Sequence, residues 1–284
     1  MAVVSHRSNL APHGVAAHYD ELDGFYRELW GEHVHHGLWQ TGNETPEEAA
    51  VALADYAAEA AGVKAGQRVV DIGSGYGATA RRIAAQRGAH VTAVTVSRAQ
   101  HEYAQSIGGS GPRPRYLHMD WLENDLPAES FDAAVAIEST EHLRDLPVAL
   151  REIARVLLPG GRLVVCAWLA ADDPGDWARR WLLEPICREG RLCQLLKESE
   201  VSDLLSSSGF VVERIEDLSA KVARTWTICL RRLLYAFVKR ADYWRFMFDR
   251  NRSERMFVVT MLRIRLAYAR GAMRYGVFAA RRES

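Results

Sequence analysis

The stretch Val69-Val70-Asp71-Ile72-Gly73-Ser74-Gly75-Tyr76-Gly77 restricts this chain more than any other. An apolar, β-branched run ends in alternate glycines, and a helix-forming segment from Gly77 to Arg87 begins at once. Apolar runs without polar alternation belong to strands covered on both faces. Glycines at the end of such a strand let a ligand approach the backbone where a Cβ would intrude, and they supply the dihedrals of the turn. Here the acid precedes the glycines. A dinucleotide fingerprint instead spaces its glycines G-x-G-x-x-G and rests pyrophosphate on the helix N-terminus. A carboxylate at the strand end repels phosphate and suits a cationic group.

Around this motif, strands and helices alternate. Strands are expected at His90–Val96, Arg115–His118, Phe131–Ile137, Arg162–Trp168, Phe210–Asp217 and Arg274–Ala280. Helices are expected at Ala49–Ala61, after the N-cap Ser97, at Leu146–Leu157 and at Glu198–Ser208. This spacing implies a mostly parallel α/β sheet with helices on both faces. Four stretches follow: an N-terminal helical segment (1–46), the core (47–218), a helical lid (219–273) and a final core strand (274–284). The lid carries Trp226, Tyr235, Phe237, Tyr243, Trp244, Phe246 and Phe248, which are candidates to line a substrate pocket.

No run approaches the length of a membrane span, and the N-terminus lacks the apolar stretch of a signal peptide, so a cytoplasmic location without stable membrane insertion is expected. The four cysteines form no C-x-x-C pair and read as reduced core thiols. His33, His35 and His36 are too tightly spaced to converge on one ion, so no metal is expected. The chain is neutral overall, with 36 Lys/Arg and 36 Asp/Glu, but residues 221–284 hold 16 Lys/Arg against 4 Asp/Glu. Because the rest of the chain is acidic to the same extent, this favours contact between copies, as in a homo-oligomer, over an external polyanion.

The nonapeptide resembles motif I of class I S-adenosylmethionine-dependent methyltransferases, and the strand order matches that Rossmann-like class, with a seven-stranded sheet and a helical lid before the last strand. The resemblance implies that Asp71, Gly73, Ser74 and Gly75 hold the methionyl end of S-adenosylmethionine. Thr95 and Gln100 resemble the T-x-S-x-x-Q variant of the cyclopropane-synthase and tocopherol-methyltransferase branches, which implies ribose recognition by the glutamine. Asp120 takes the place of the acid that accepts from the adenine amino group, and Trp121 that of the apolar cover on the ring. The run Trp30-Gly31-Glu32-His33-Val34-His35-His36-Gly37 resembles γ-tocopherol methyltransferases and related small-molecule enzymes, where this segment folds over the cofactor. Tyr19 is then expected at the methionyl end, and Tyr26 at the position that closes the active site.

The segment Glu138-Ser139-Thr140-Glu141-His142 resembles the Glu-His motif at the methyl-transfer end of the pocket. Methyl transfer is an in-line displacement, so the enzyme must align a nucleophile and take its proton. His142 is the expected base, because an imidazole titrates near neutrality. Glu138, also a candidate cofactor contact, either orients the substrate or stabilises a cation left on a methylated alkene carbon. Glu141 is expected to pair with an arginine. The aromatic, arginine-studded lid suits a small lipophilic acceptor with an anionic or polar head, and the resemblance to the tocopherol branch favours its methylation at carbon, in an isoprenoid, a prenylated indole or a phenol. The alternatives are N- or O-methylation of a small metabolite and a cyclopropane-synthase-like modification of a lipid. The acidic Glu138-Ser139-Thr140-Glu141 stretch disfavours a nucleic-acid substrate, since it would repel phosphate.

Overall fold

In the computed structural model, residues 4–5, 12–108, 111–249 and 256–284 are described. Seven strands form the main sheet: β1 (Arg68–Ile72), β2 (His90–Thr95), β3 (Arg115–His118), β4 (Phe131–Ile137), β5 (Leu157–Ala170), β6 (Phe210–Asp217) and β7 (Met273–Arg282). Their spatial order is β3-β2-β1-β4-β5-β7-β6. β7 alone runs antiparallel to its neighbours β5 and β6, and every other pairing is parallel. β1 is central, with Asp71 in register with Ala93 on one side and Val135 on the other.

The pleat explains why β1 and β4 read as unbroken apolar runs. Val69, Ala133 and Val135 face α3 (Pro46–Ala60) and α4 (Ala78–Arg87), where they meet Leu53, Ala57 and Ile83. Val70, Ala134 and Ala136 face the opposite way, onto Leu150 and Ile153 of α6 (Leu146–Val156). Successive side chains point to opposite faces, so a strand covered twice needs apolar residues at every position. α3 starts at a capping box, with the Thr45 hydroxyl on the Glu48 N–H, the Glu48 carboxylate on the Thr45 N–H, and Pro46 at the first helical position. α5 (Arg98–Ser106) is capped by Ser97 as expected, through a bond from the Gln100 N–H.

Two expectations change. The strand expected from Arg162 begins earlier, because β5 starts at Leu157 and runs through Pro159-Gly160-Gly161. The register with β4 shifts between Phe131 and Ala133, so the extra residues are absorbed as an irregularity in the ladder. The last strand extends to Arg282, since its antiparallel partner β6 pairs with it that far.

The N-terminal segment forms α1 (Pro12–Glu21) and α2 (Asp23–Leu29), then a loop that crosses the ends of the strands. α7 (Glu198–Ser207) packs beside β6. The lid comprises α8 (Arg224–Lys239), α9 (Ala241–Phe248) and α10 (Phe257–Ala269). It has a core of its own, in which Leu233, Tyr243, Met261 and Ile264 pack with Leu29, Leu182 and Ile186. No helix among the described residues is long and apolar enough to cross a membrane.

Candidate active site

The glycine loop leaves β1 under the floor of a cleft of about 1110 Å³. Gly73 has φ +74°, and a Cβ there would stand 2.3 Å from the Ser139 Cβ, so no side chain fits. The Gly73 and Ser74 N–H groups both donate to the Val94 carbonyl, at 2.9 and 2.8 Å, and this holds the turn against β2. Ser139 closes the crossing from β4 by donating its hydroxyl to the Ile72 carbonyl at 2.6 Å.

Asp71 is buried, and its Oδ2 has no hydrogen-bond partner among the described residues. Burial pushes its carboxyl up to about 7. A buried acid without a donor is costly unless a ligand supplies one. The cleft it lines thus fits a ligand with a cationic donor, as the ammonium of S-adenosylmethionine is. The Thr95 hydroxyl donates to the Gln100 Oε1 at 2.9 Å, which leaves the amide NH2 as the donor end of Gln100 in the same cleft. Asp120 accepts from the Leu122 N–H and from Arg144, both at 3.0 Å. Trp121 is buried, its indole N–H donating to the Ala149 carbonyl at 3.2 Å. Arg144, Met119 and Leu122 also line this cleft, and sequence reasoning missed them. Met119 and Leu122 adjoin the expected Asp120-Trp121 pair, so a wider window around it would have included them.

A second cavity of about 730 Å³ adjoins the first, and Tyr19, Val34, His35, Glu138 and His142 line both. His142 is half-buried, with its Nδ1–H donating to the Arg191 carbonyl at 3.0 Å. A carbonyl only accepts, so that bond assigns the proton to Nδ1 and leaves Nε2 as the acceptor. The Tyr19 hydroxyl meets Nε2 at 3.1 Å. Burial holds the imidazole down at about 4, so it is neutral over the working pH range. Burial and the nearby Glu138 and Glu141 push the Tyr19 phenol well above its ordinary value. Tyr26 lines the second cavity and bonds the His18 Nε2 through its hydroxyl at 2.9 Å.

Glu138 sits in the left-handed region at φ +51°, a strained position for a residue with a side chain. Its carboxylate accepts from the His36 N–H (2.8 Å), the His36 Nδ1–H (3.0 Å), the Trp168 indole (2.7 Å) and the Tyr275 hydroxyl (2.8 Å). The Trp226 indole donates to His36 Nε2 at 2.7 Å, so the His36 proton resides on Nδ1. Burial raises the Glu138 carboxyl, but its contacts with His36 and His35 outweigh burial and hold it at about 2. The carboxylate is therefore ionised and anchored. Glu138→Ala should leave this cage of donors unpaired and lower the unfolding free energy by about 3–5 kcal/mol, read from urea denaturation. A loss below about 1 kcal/mol would show that the cage is not structural.

Three expectations are corrected. Glu141 pairs with no arginine among the described residues; it accepts from the Trp168 N–H and from the Thr140 hydroxyl, and burial raises it to about 7. Of the seven lid aromatics only Trp226 lines the second cavity, because Tyr243 and Phe246 pack on Phe25 while Tyr235, Trp244 and Phe248 point to solvent. The rest of the wall comes from Tyr26, Trp30, Trp168, Met261 and Ile264, and its carboxylates are Glu138, Glu141 and Glu189. No arginine or lysine among the described residues lines it, so the expected match to an anionic head lacks its cation. The histidine run serves as scaffold: His33 meets His35 at 3.2 Å, and His35 donates to the His36 carbonyl at 2.7 Å.

A glycine-floored cleft with an unsatisfied acid, on a sheet of order 3-2-1-4-5-7-6 and joined to a second cavity walled by aromatic side chains and carboxylates, defines an S-adenosylmethionine-dependent methyltransferase that acts on a small molecule. Residues 6–262 match the family model of mycolic acid cyclopropane synthetase, and the chain belongs to that family. Among curated relatives it is 32% identical to the 27-O-demethylrifamycin SV methyltransferase of Amycolatopsis mediterranei, over 76% of this chain and 80% of that protein. It is 26% identical to the chloroplastic tocopherol O-methyltransferase of Arabidopsis thaliana, over 95% and 82% of the two chains. The cyclopropane synthase MmaA2 of Mycobacterium tuberculosis shares the fold, with a TM-score of 0.81 at 22% identity over 97% of this chain and 100% of that one.

Proposed function

We propose that the chain transfers a methyl group from S-adenosylmethionine to a hydroxyl of a lipophilic small molecule. The observation that carries this reading is the aligned chain Tyr19 hydroxyl, His142 imidazole and Arg191 carbonyl at the junction of the two cavities. Removing a proton from an oxygen nucleophile needs an unprotonated base at that point, and the neutral His142 imidazole, with Nε2 as its acceptor, is one. Tyr19 lines both cavities beside that base with its hydroxyl on Nε2, and it passes the substrate proton on by giving its own to Nε2. In this reading Asp71 holds the methionyl ammonium with the Gly73–Gly75 backbone, and Gln100 donates to the ribose. Asp120 accepts from the adenine amino group through the second lone pairs of its oxygens, and Trp121 backs the ring. When bound, the cofactor supplies an electrophilic methyl on a sulfonium, and the protein's part is to align the acceptor and take its proton. Tyr26, Trp30, Trp168 and Trp226 enclose the apolar body of the acceptor. Among the relatives, the tocopherol O-methyltransferase supports oxygen as the acceptor atom and the sterol 24-C-methyltransferase of Yarrowia lipolytica supports carbon, so the choice of oxygen rests on the His142 geometry.

A second reading is a cyclopropane-synthase-like modification of a lipid alkene. The family match favours it over methylation of an isoprenoid carbon. Its support is Glu138, an ionised carboxylate that lines both cavities and would stabilise a carbocation formed beside it. Cofactor with a fully deuterated methyl group separates the two. With a panel of lipophilic phenols and unsaturated fatty acyl esters, a methyl ether retains all three deuterium atoms, whereas a cyclopropane keeps two. Label in neither class would refute both readings.

A further inference from the structure

The charge asymmetry of the sequence is partly resolved inside one chain. Arg232 pairs with Glu47, Arg240 with Glu28, Arg263 with Glu189 and Arg274 with Asp217, so much of the basic C-terminal part meets acids of its own subunit. Arg231, Lys239 and Arg245 have no carboxylate partner among the described residues, and all three are exposed.

These three cations share their surface with apolar side chains. Of the ten large apolar residues exposed among the described residues, five fall within residues 234–248: Leu234 (56%), Tyr235 (65%), Val238 (80%), Trp244 (47%) and Phe248 (69%). Scattered exposure would not put half of them in one short stretch, and such patches mark interaction sites. On α8 the spacing sets Arg231, Tyr235 and Lys239 in one row and Leu234 with Val238 in the next. The Lys239 ammonium lies 5.9 Å from the Tyr235 ring. α9 joins this surface. The Trp244 indole donates to the Phe237 carbonyl at 2.8 Å, its ring packs on Phe237 at 4.8 Å, and it stacks on Phe248 at 5.9 Å.

We infer that the outer face of α8 and α9 is a docking surface for an anionic lipid bilayer. Apolar and aromatic side chains interleaved with unpaired cations match the headgroup region of such a membrane, where apolar groups sink below the phosphates and cations bind them. The surface lies on the same lid that lines the second cavity through Trp226, Met261 and Ile264, so an acceptor dissolved in lipid would have a short path to the junction. A second copy of the chain is the weaker occupant, because the acids that reach α8, Glu47 and Glu28, already pair with Arg232 and Arg240 of the same subunit.

Sedimentation of the full chain with vesicles of phosphatidylglycerol in phosphatidylcholine, beside phosphatidylcholine alone, tests this. Retention on the anionic vesicles only, released by salt, is the expected result. The pair Lys239→Glu and Arg245→Glu should weaken that retention by roughly thirtyfold or more, and Val238→Glu with Phe248→Glu by at least about tenfold. Unchanged S-adenosylhomocysteine binding and circular dichroism would show that these exposed substitutions leave the fold intact. No retention on anionic vesicles, or retention that ignores all four substitutions, would overturn the inference. So would a concentration-dependent dimer that the same substitutions dissociate, which would assign the face to a second copy.

Discussion

Asp71→Ala should weaken S-adenosylmethionine and S-adenosylhomocysteine binding by roughly 10- to 100-fold while leaving the protein at least as stable as before. The two effects have one cause. Asp71 is a buried carboxyl with an oxygen that nothing in the described chain donates to, and burial raises it to about 7. A carboxyl raised in the fold binds its proton more tightly there than in the unfolded chain. Its contribution to stability is therefore greatest at low pH and declines as pH rises from about 4 to about 7. At pH 8 the ionised group costs the cofactor-free fold on the order of 4 kcal/mol. Asp71→Asn keeps the shape and removes that cost, so its melting temperature at pH 8 should rise as its cofactor affinity falls. An ammonium beside the carboxylate reverses the burial effect. Affinity in the unaltered protein should then increase from about pH 6 to about pH 8, with proton release visible as a buffer-dependent enthalpy in calorimetry. Unchanged affinity in Asp71→Ala would remove Asp71 from the cofactor site.

His142→Ala should lower kcat by roughly 10² to 10⁴ with cofactor affinity within a few-fold of normal, because the group takes a proton and does not hold the cofactor. The pH profile adds a sharper constraint. An exposed histidine base would lose activity as pH falls through its ordinary value of about 6.5. Burial lowers His142 to about 4, so its neutral form persists well below that point. With S-adenosylmethionine saturating, so that Asp71 is already ionised against the ammonium, the profile of kcat/KM for the acceptor should therefore be flat from about pH 5.5 to about pH 8, with no acidic limb near 6.5. Tyr19→Phe keeps the ring and removes the relay hydroxyl. If the proton travels through Tyr19, kcat should fall by roughly 10- to 100-fold with KM little changed. Full activity in Tyr19→Phe would make that hydroxyl a mere cover on Nε2, and an acidic limb near 6.5 would mean that the base is exposed during turnover.

Both experiments turn on residues that the sequence singles out, yet their chemistry comes from elsewhere in the chain. Asp71 lies at the end of strand β1 and His142 just after β4, and the apolar runs that mark those strands, with the glycines after β1, are local signals, read from consecutive residues. The same holds for Thr95 and Gln100, joined by the Ser97 cap of one turn. The cage around Glu138 has no such signature. Its donors lie at positions 36, 168 and 275, far apart in sequence and on three separate elements. The second cavity is equally nonlocal. It draws on residues 186–192 and 260–264, whose composition is ordinary for helices and gives no hint of what they face.

The lid shows the limit of pattern reading most plainly. Its aromatic content is visible in the sequence, but the side from which each ring projects depends on how α8, α9 and α10 seat against α2 and the helical stretch 179–189. Tyr243 turns inward onto Phe25, while Trp244, one residue on, turns outward. The same applies to charge. A basic C-terminal part and an acidic remainder are counted from the sequence, but only the fold shows that many of them pair within one subunit. Backbone conformation and strand burial follow from neighbours a few residues apart, so the sequence by itself determined the sheet, the glycine loop and the residues at its strand ends. Proton positions, carboxylate partners and the direction of each lid side chain depend on contacts between distant segments, and these only the tertiary structure decided.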